Sequence, residues 1–126
     1  MIRLIQRRLI IPRGDTGSFT IPLQGTVGEN DTVIFFIYDP MTKKQVSSIK
    51  GEIENDVITI NFTPDKTINL DPRKYYWDIV IYKNPEYEEG DEQSKELPPI
   101  NGEEINSYYA AFSLPICEIK EAVRNV

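Results

Sequence analysis

The ten residues "KYYWDIVIYK" (74–83) are apolar in both registers of an extended chain. Side chains of a strand alternate between faces, so Tyr75, Trp77, Ile79 and Ile81 share one face while Tyr76, Asp78, Val80 and Tyr82 share the other. "TVIFFIYD" (32–39) repeats the pattern, with Val33, Phe35 and Ile37 on one side and Ile34, Phe36 and Tyr38 on the other. Strands of this kind belong in a sheet that is covered on both faces. We take Val33, Phe35, Ile37, Tyr75, Trp77, Ile79 and Ile81 as the core-facing set. The opposite face then needs a cover of its own: another subunit, another protein, a loop of the chain or a flat ligand.

Period-two spacing continues on either side of these runs, in stretches bounded by Gly, Pro, Asn and Asp, which marks strands and turns. Strands are expected over 4–11, 17–25, 31–38, 45–50, 56–63, 73–83 and 107–117. In "GSFTIPLQG" (17–25) Phe19, Ile21 and Leu23 point inward, and Pro22 argues for an edge strand. In "NDVITINFT" (55–63) the inward set is Ile58, Ile60 and Phe62. In "SYYAAFSLPIC" (107–117) Tyr108, Ala110, Phe112, Leu114 and Ile116 are expected inward, which puts Tyr109 and Ala111 on the outer face. Helical spacing occurs only in the tail "CEIKEAVRNV" and its approach, through Ile116, Ile119 and Val123. Seven short strands in 126 residues predict one all-β sandwich domain over 1–118 and a short C-terminal tail over 119–126.

Composition narrows the chemistry. Fourteen Lys and Arg against 20 Asp and Glu leave a formal charge of −6, the wrong sign for gripping a phosphate backbone, so no nucleic-acid partner is expected. Histidine is absent, which removes the commonest general base, the commonest metal ligand and every Ser-His or Cys-His nucleophile. The single cysteine, Cys117, permits no internal disulfide and no CxxC site; its apolar surroundings read as those of a buried small hydrophobe. The opening "MIRLIQRRLIIP" mixes apolar residues with Arg3, Arg7 and Arg8 and so lacks the apolar core of a secretory leader. No stretch reaches the length of a membrane span. The expectation is a protein made in the cytoplasm, with no cofactor, no bound metal and no membrane partner.

Two motifs invite over-reading. Arg13-Gly14-Asp15 matches a tripeptide that animal cell-surface receptors read as an adhesion signal, yet it lies between two predicted strands with Pro12 and Gly17 beside it. A tight connection there needs Gly for positive φ and Asp to bond nearby backbone, so we read it as a turn. The stretch 84–106 carries eight acids and one Lys. Glu86, Glu88, Glu89, Asp91 and Glu92 are clustered as hard cations prefer, but their spacing matches no EF-hand loop. A solvated, mobile excursion is the expectation.

The outward set Ile34, Phe36, Tyr38, Tyr76, Val80, Tyr82 and Tyr109 is the candidate site. Tyr and Phe are enriched where proteins dock, and we read the face as a protein interface. The rival reading is a platform for sugar rings, for which these strands offer few hydroxyl-binding partners beyond Asp78.

The order of "LIIPRGDTGSFTIPLQG", "DTVIFFIYDP" and "ITINFTPDKTINLDPRKYYWDIVIY" resembles the N-terminal immunoglobulin-like domain of baseplate upper proteins and related tail proteins of Firmicutes phages and prophages. The resemblance covers residues 5–83 through Arg13 to Thr16, Asp39 and Pro40, Thr63, Thr67, Leu70, and Tyr76 to Ile79. It implies an immunoglobulin-like β-sandwich without catalysis, carried on a virion, docking to its own copies or to other tail proteins. The acidic stretch and Ala110-Ala111 depart from the short closing hairpin of that family. A bacterial surface immunoglobulin-like domain is the further alternative. "LDPRKYYWDIVIY" also resembles the corner that introduces a central strand in immunoglobulin and fibronectin type III domains, which makes Tyr75 the corner residue and Trp77 its core neighbour.

Overall fold

The computed structural model describes residues 1–23, 28, 31–86, 101–107 and 115–121, for 84–86 and 101–107 the backbone alone. Among these residues the strands are β1 (Arg3–Ile5), β2 (Arg8–Pro12), β3 (Gly17–Pro22), β4 (Thr32–Tyr38) and β5 (Gln45–Lys50), followed by β6 (Glu52–Glu54), β7 (Val57–Phe62), β8 (Lys74–Glu86), β9 (Asn101–Ser107) and β10 (Ile116–Lys120). The helical structure described is one 3-10 turn, Pro64–Lys66, and no helix is long and apolar enough to cross a membrane. The strands form two sheets. The larger has the order β1-β2-β10-β8-β4-β5, with β9 also on β8, and the smaller has the order β3-β7-β6. Pairing is antiparallel except between β10 and β2, which run parallel.

The two sheets close on one core, and its members are those the alternation picks out. Val33, Phe35 and Ile37 of β4 and Tyr75, Trp77, Ile79 and Ile81 of β8 meet Phe19, Ile21, Ile58, Ile60 and Phe62 of the smaller sheet. Phe35 stands edge-on to Phe19 and Phe62, with ring centroids 5.6 and 5.4 Å apart. Trp77 stands edge-on to Phe19 at 5.7 Å. These are the preferred aromatic geometries, and they add to the area buried. Pro22 ends β3, whose described pairing is to β7 alone, so β3 is an edge as expected.

Several elements depart from expectation. The run 4–11 is a hairpin, because Gln6 takes φ 58° and turns the chain between β1 and β2. Gln carries no turn signal, so nothing in the alternation marks the break. The run 45–63 gains β6, joined to β7 by Asn55 and Asp56 at φ 53° and 62°, as a two-residue primed hairpin turn requires. Gly51 is where the chain passes from β5 in the larger sheet to β6 in the smaller. A Cβ there would lie 3.1–3.2 Å from side-chain atoms of Val33, Ile58 and Ile60.

The tail is corrected too. Residues 116–120 form a strand, with Cys117 and Ile119 in the core, so pairing with β2 and β8 overrides the helical spacing and carries the domain past residue 118. Ile116, expected inward, is exposed. The stretch 84–106 is not loop throughout: β8 runs on to Glu86, and β9 pairs with it from Asn101. Residues 87–100 and 108–114, with the candidate calcium ligands from Glu88 onward and Tyr109, lie outside the described residues.

The corner is present. Tyr75 Oη donates to the carbonyl of Asp71 at 2.9 Å, and Trp77 Nε1 donates to the carbonyl of Arg7 at 3.1 Å.

Candidate functional site

The outer face of the larger sheet holds the predicted docking residues other than Tyr109, and the structure divides them. Ile34, Phe36 and Val80 form a second apolar cluster and are buried within the single chain, with Tyr38 and Tyr82 half-buried against them. Phe36 is 0% exposed, so it can meet no partner unless that cover moves. A side chain on an outward register is exposed only if nothing lies over it, and alternation carries no information on that point. The first three are therefore core residues of a second layer.

What stays open is one end of the same face. Tyr76 of β8 is registered with Ile116 of β10 on one side and with Tyr38 of β4 on the other. Tyr76 is 37% and Ile116 38% exposed, which makes them adjacent large apolar groups at the surface. Sequence reasoning found Tyr76 and missed Ile116, because the inward parity assumed for 107–117 fails by one residue at Cys117. Its complete burial fixes the register.

A charged belt follows on this face. Arg8 of β2 holds Glu118 of β10 at 2.5 Å, and Lys120 approaches the other oxygen of Glu118 at 3.4 Å. The Arg8 hydrogen bond keeps the Glu118 carboxyl below the usual glutamate range. Just past the end of β4, Asp39 accepts from the backbone N–H groups of Met41 and Thr42 at 2.8 and 3.1 Å and pairs with Arg73, just before β8, at 2.7 Å. These contacts hold its carboxyl below the ordinary aspartate range, the Thr42 N–H first. Arg73 also lies over the Tyr75 ring, 4.9 Å from its centroid.

Beyond the belt is a groove of about 580 Å³. Ile10, Pro12 and Met1 give it apolar walls, Arg3, Arg13 and Lys120 bring cations, and Asp15 and Glu121 bring carboxylates. Asp15 already lies 3.2 Å from the Met1 nitrogen.

The Arg-Gly-Asp tripeptide rims this groove as a turn. Asp15 N–H donates to the Pro12 carbonyl at 3.0 Å, with Gly14 at φ 74°. Gly14 N–H donates to the buried Thr67 hydroxyl at 2.8 Å, and Arg13 N–H to the Lys120 carbonyl at 2.7 Å. A Cβ on Gly14 would lie 2.8 Å from Ile68 Cδ1. The glycine therefore answers to backbone geometry and to a close packing contact.

Burial pushes the Cys117 thiol well above its ordinary range, so it is neither a nucleophile nor a ready metal ligand. Among the described residues no group of three or more Cys, Asp and Glu side chains is placed to hold a metal ion.

By its fold the protein is an all-β sandwich. Comparison of the chain with protein-family models, with curated proteins and with solved structures finds no match in any of the three.

Proposed function

We propose that this chain is a non-catalytic docking module: an immunoglobulin-like sandwich of a phage or prophage tail or baseplate, carried on the virion and binding its own copies or other tail proteins. One observation carries the reading. The outer face of β4 and β8 is largely apolar yet closed only in part, so that Tyr76 and, on β10 beside it, Ile116 stand open next to the half-buried Tyr38. Tyr at the edge of an apolar patch is a common interface anchor.

Three features support the immunoglobulin-like part: the β3-β7-β6 and β4-β8-β10 groupings, the tyrosine corner at Tyr75 and the core Trp77. The virion setting rests on the resemblance of residues 5–83 alone.

The test is light scattering at about 1 M salt, where the Debye length falls to roughly 3 Å and contacts between exposed charges are screened. The native chain is compared with a Tyr76→Ser, Ile116→Ser double variant. Association of the native chain that the variant loses while keeping its fold is the expected result. Two folded monomers would end self-docking through this face. A native monomer whose tyrosine fluorescence is quenched by glycans would replace the reading with a carbohydrate-binding module.

A further inference from the structure

One side of the sandwich is a run of backbone paired on a single flank. β5 is the last strand of the larger sheet and β6 the last of the smaller, and the chain passes between them at Gly51, so residues 45–54 follow one edge of the molecule. Gly51 N–H donates to the Val33 carbonyl beside β4 at 2.8 Å. Backbone groups alternate in direction along an antiparallel strand, so those of Ile49 and Ser47 also point to β4 while the N–H and C=O of Ser48 and Lys50 point away from it. Among the described residues no hydrogen bond reaches Ser48 or Lys50 from that open side.

The charges along this edge are sorted by sign. Lys43 and Lys44 precede β5, Glu52 and Glu54 lie in β6, and all four are exposed. Neither lysine ammonium has an ion pair among the described residues, and neither does the Glu54 carboxylate. Glu52 has one neutral contact, the Asn61 Nδ2 donor at 3.3 Å. Charge of a single sign on an edge keeps other strands away. Here one end is cationic and the other anionic, and an antiparallel copy of the same run answers both. The other edges lack this pattern: β1 is three residues long, and β3 carries no charge and has no N–H at Pro22.

We propose that two copies of this chain pair antiparallel along β5, joining their larger sheets into one across a twofold axis at Ser48. Centred there, Ser48 exchanges both backbone hydrogen bonds with Ser48 of the other copy. Four residues to either side of the axis, Lys44 of each chain comes opposite Glu52 of the other. Centring on Lys50 instead would set the two lysines against each other. Glu52 lies just past the bend at Gly51, and the flexible stem of lysine suits a partner set off the strand axis. The contact is isologous and closes at a dimer. It uses the strand edge and does not rest on the reading of the Tyr76 and Ile116 surface.

The experiment is light scattering over a wide concentration range at about 0.1 M salt, where the Debye length is roughly 10 Å. Three edge variants are compared with the native chain: Ser48→Pro; Lys43→Glu, Lys44→Glu; and Glu52→Lys, Glu54→Lys. Each is made also in the Tyr76→Ser, Ile116→Ser background, so that association through the outer face is read separately, and each is checked for a native circular dichroism spectrum. Proline at 48 removes an N–H that faces the open edge, which leaves the ladder to β4 intact.

The native chain is expected to reach at least the dimer mass, and Tyr76→Ser, Ile116→Ser to rise from monomer to dimer and stop there. In that background Ser48→Pro and each charge variant alone should stay monomeric. Mixing the two charge variants should restore the dimer, because each end then meets the opposite sign. A native chain that stays monomeric overturns the proposal, as does a Tyr76→Ser, Ile116→Ser variant whose mass climbs past the dimer. So does a folded Ser48→Pro that dimerises in that background, or a mixture of folded charge variants that stays monomeric. A dimer lost in Tyr76→Ser, Ile116→Ser and kept in Ser48→Pro alone belongs to the outer face and leaves no role for the edge.

Discussion

The two faces of β4 and β8 are both rich in apolar side chains and differ in what lies against them. On the inner face Trp77, Phe35 and Ile79 meet a second sheet whose own side chains interlock with theirs. On the outer face Ile34, Phe36 and Val80 are just as dry, but two registers along β8 from Asp78 the cover ends and Tyr76 stands at the surface. The difference teaches that apolarity on both sides of a strand identifies a central strand. It does not identify an interface.

Truncation should break the comparison most strongly if it is wrong. Trp77→Ala removes the largest fully buried side chain and its hydrogen bond to Arg7, and should cost about 3–5 kcal/mol in urea unfolding. Phe36→Ala should cost nearly as much, about 3–4 kcal/mol, because its site is equally buried. A loss below about 1 kcal/mol would show that the outer cover is absent in solution and would return Phe36 to the docking surface.

Gly51→Ala sharpens the account at the seam between the sheets. The added methyl meets Val33, Ile58 and Ile60 at once, and overpacking at that level should cost about 1–3 kcal/mol. A variant as stable as the native would mean that these three side chains repack freely.

Asp39→Asn has the smallest effect and the clearest sign. A carboxyl whose folded-state pKa is depressed contributes stability above its unfolded pKa, and that contribution is lost as pH falls through the folded value. The variant should therefore be less stable than the native at neutral pH, and the two should converge in acid below the ordinary aspartate range. Chemical unfolding at several pH values checks it, and parallel profiles would remove Asp39 from the acid response.

Much of the core was legible because period two has only two solutions. Once Val33, Phe35 and Ile37 are assigned inward, the pairing of β4 with β8 commits Trp77, Ile79 and Ile81 to the same side. Turns with chemical signals were legible as well. Gly14 in the Arg-Gly-Asp turn and Tyr75 at the corner behave as their residue types dictate. The turn at Gln6 was not, since glutamine has no preference for positive φ and adopts it here under tertiary constraint. Residues 116–120 misled for a related reason: Ile116 and Ile119 fit a helix in isolation, whereas hydrogen bonding to β2 and β8 on either side makes the strand cooperative.

The candidate site divides in the same way. Tyr76 was readable as outward from alternation alone. Its neighbour Ile116 needed the register set by Cys117, and the groove needed Arg3, Arg13 and Lys120 to be gathered from three parts of the chain. By itself the sequence determined the fold class, the inward set of the central strands, the turn role of Arg13-Gly14-Asp15 and the exclusion of histidine chemistry. All of these follow from residue type and local spacing. Tertiary structure alone decided which outward residues are covered, where β10 sits and which arginines share a groove, because each of these depends on contacts between segments that are distant along the chain.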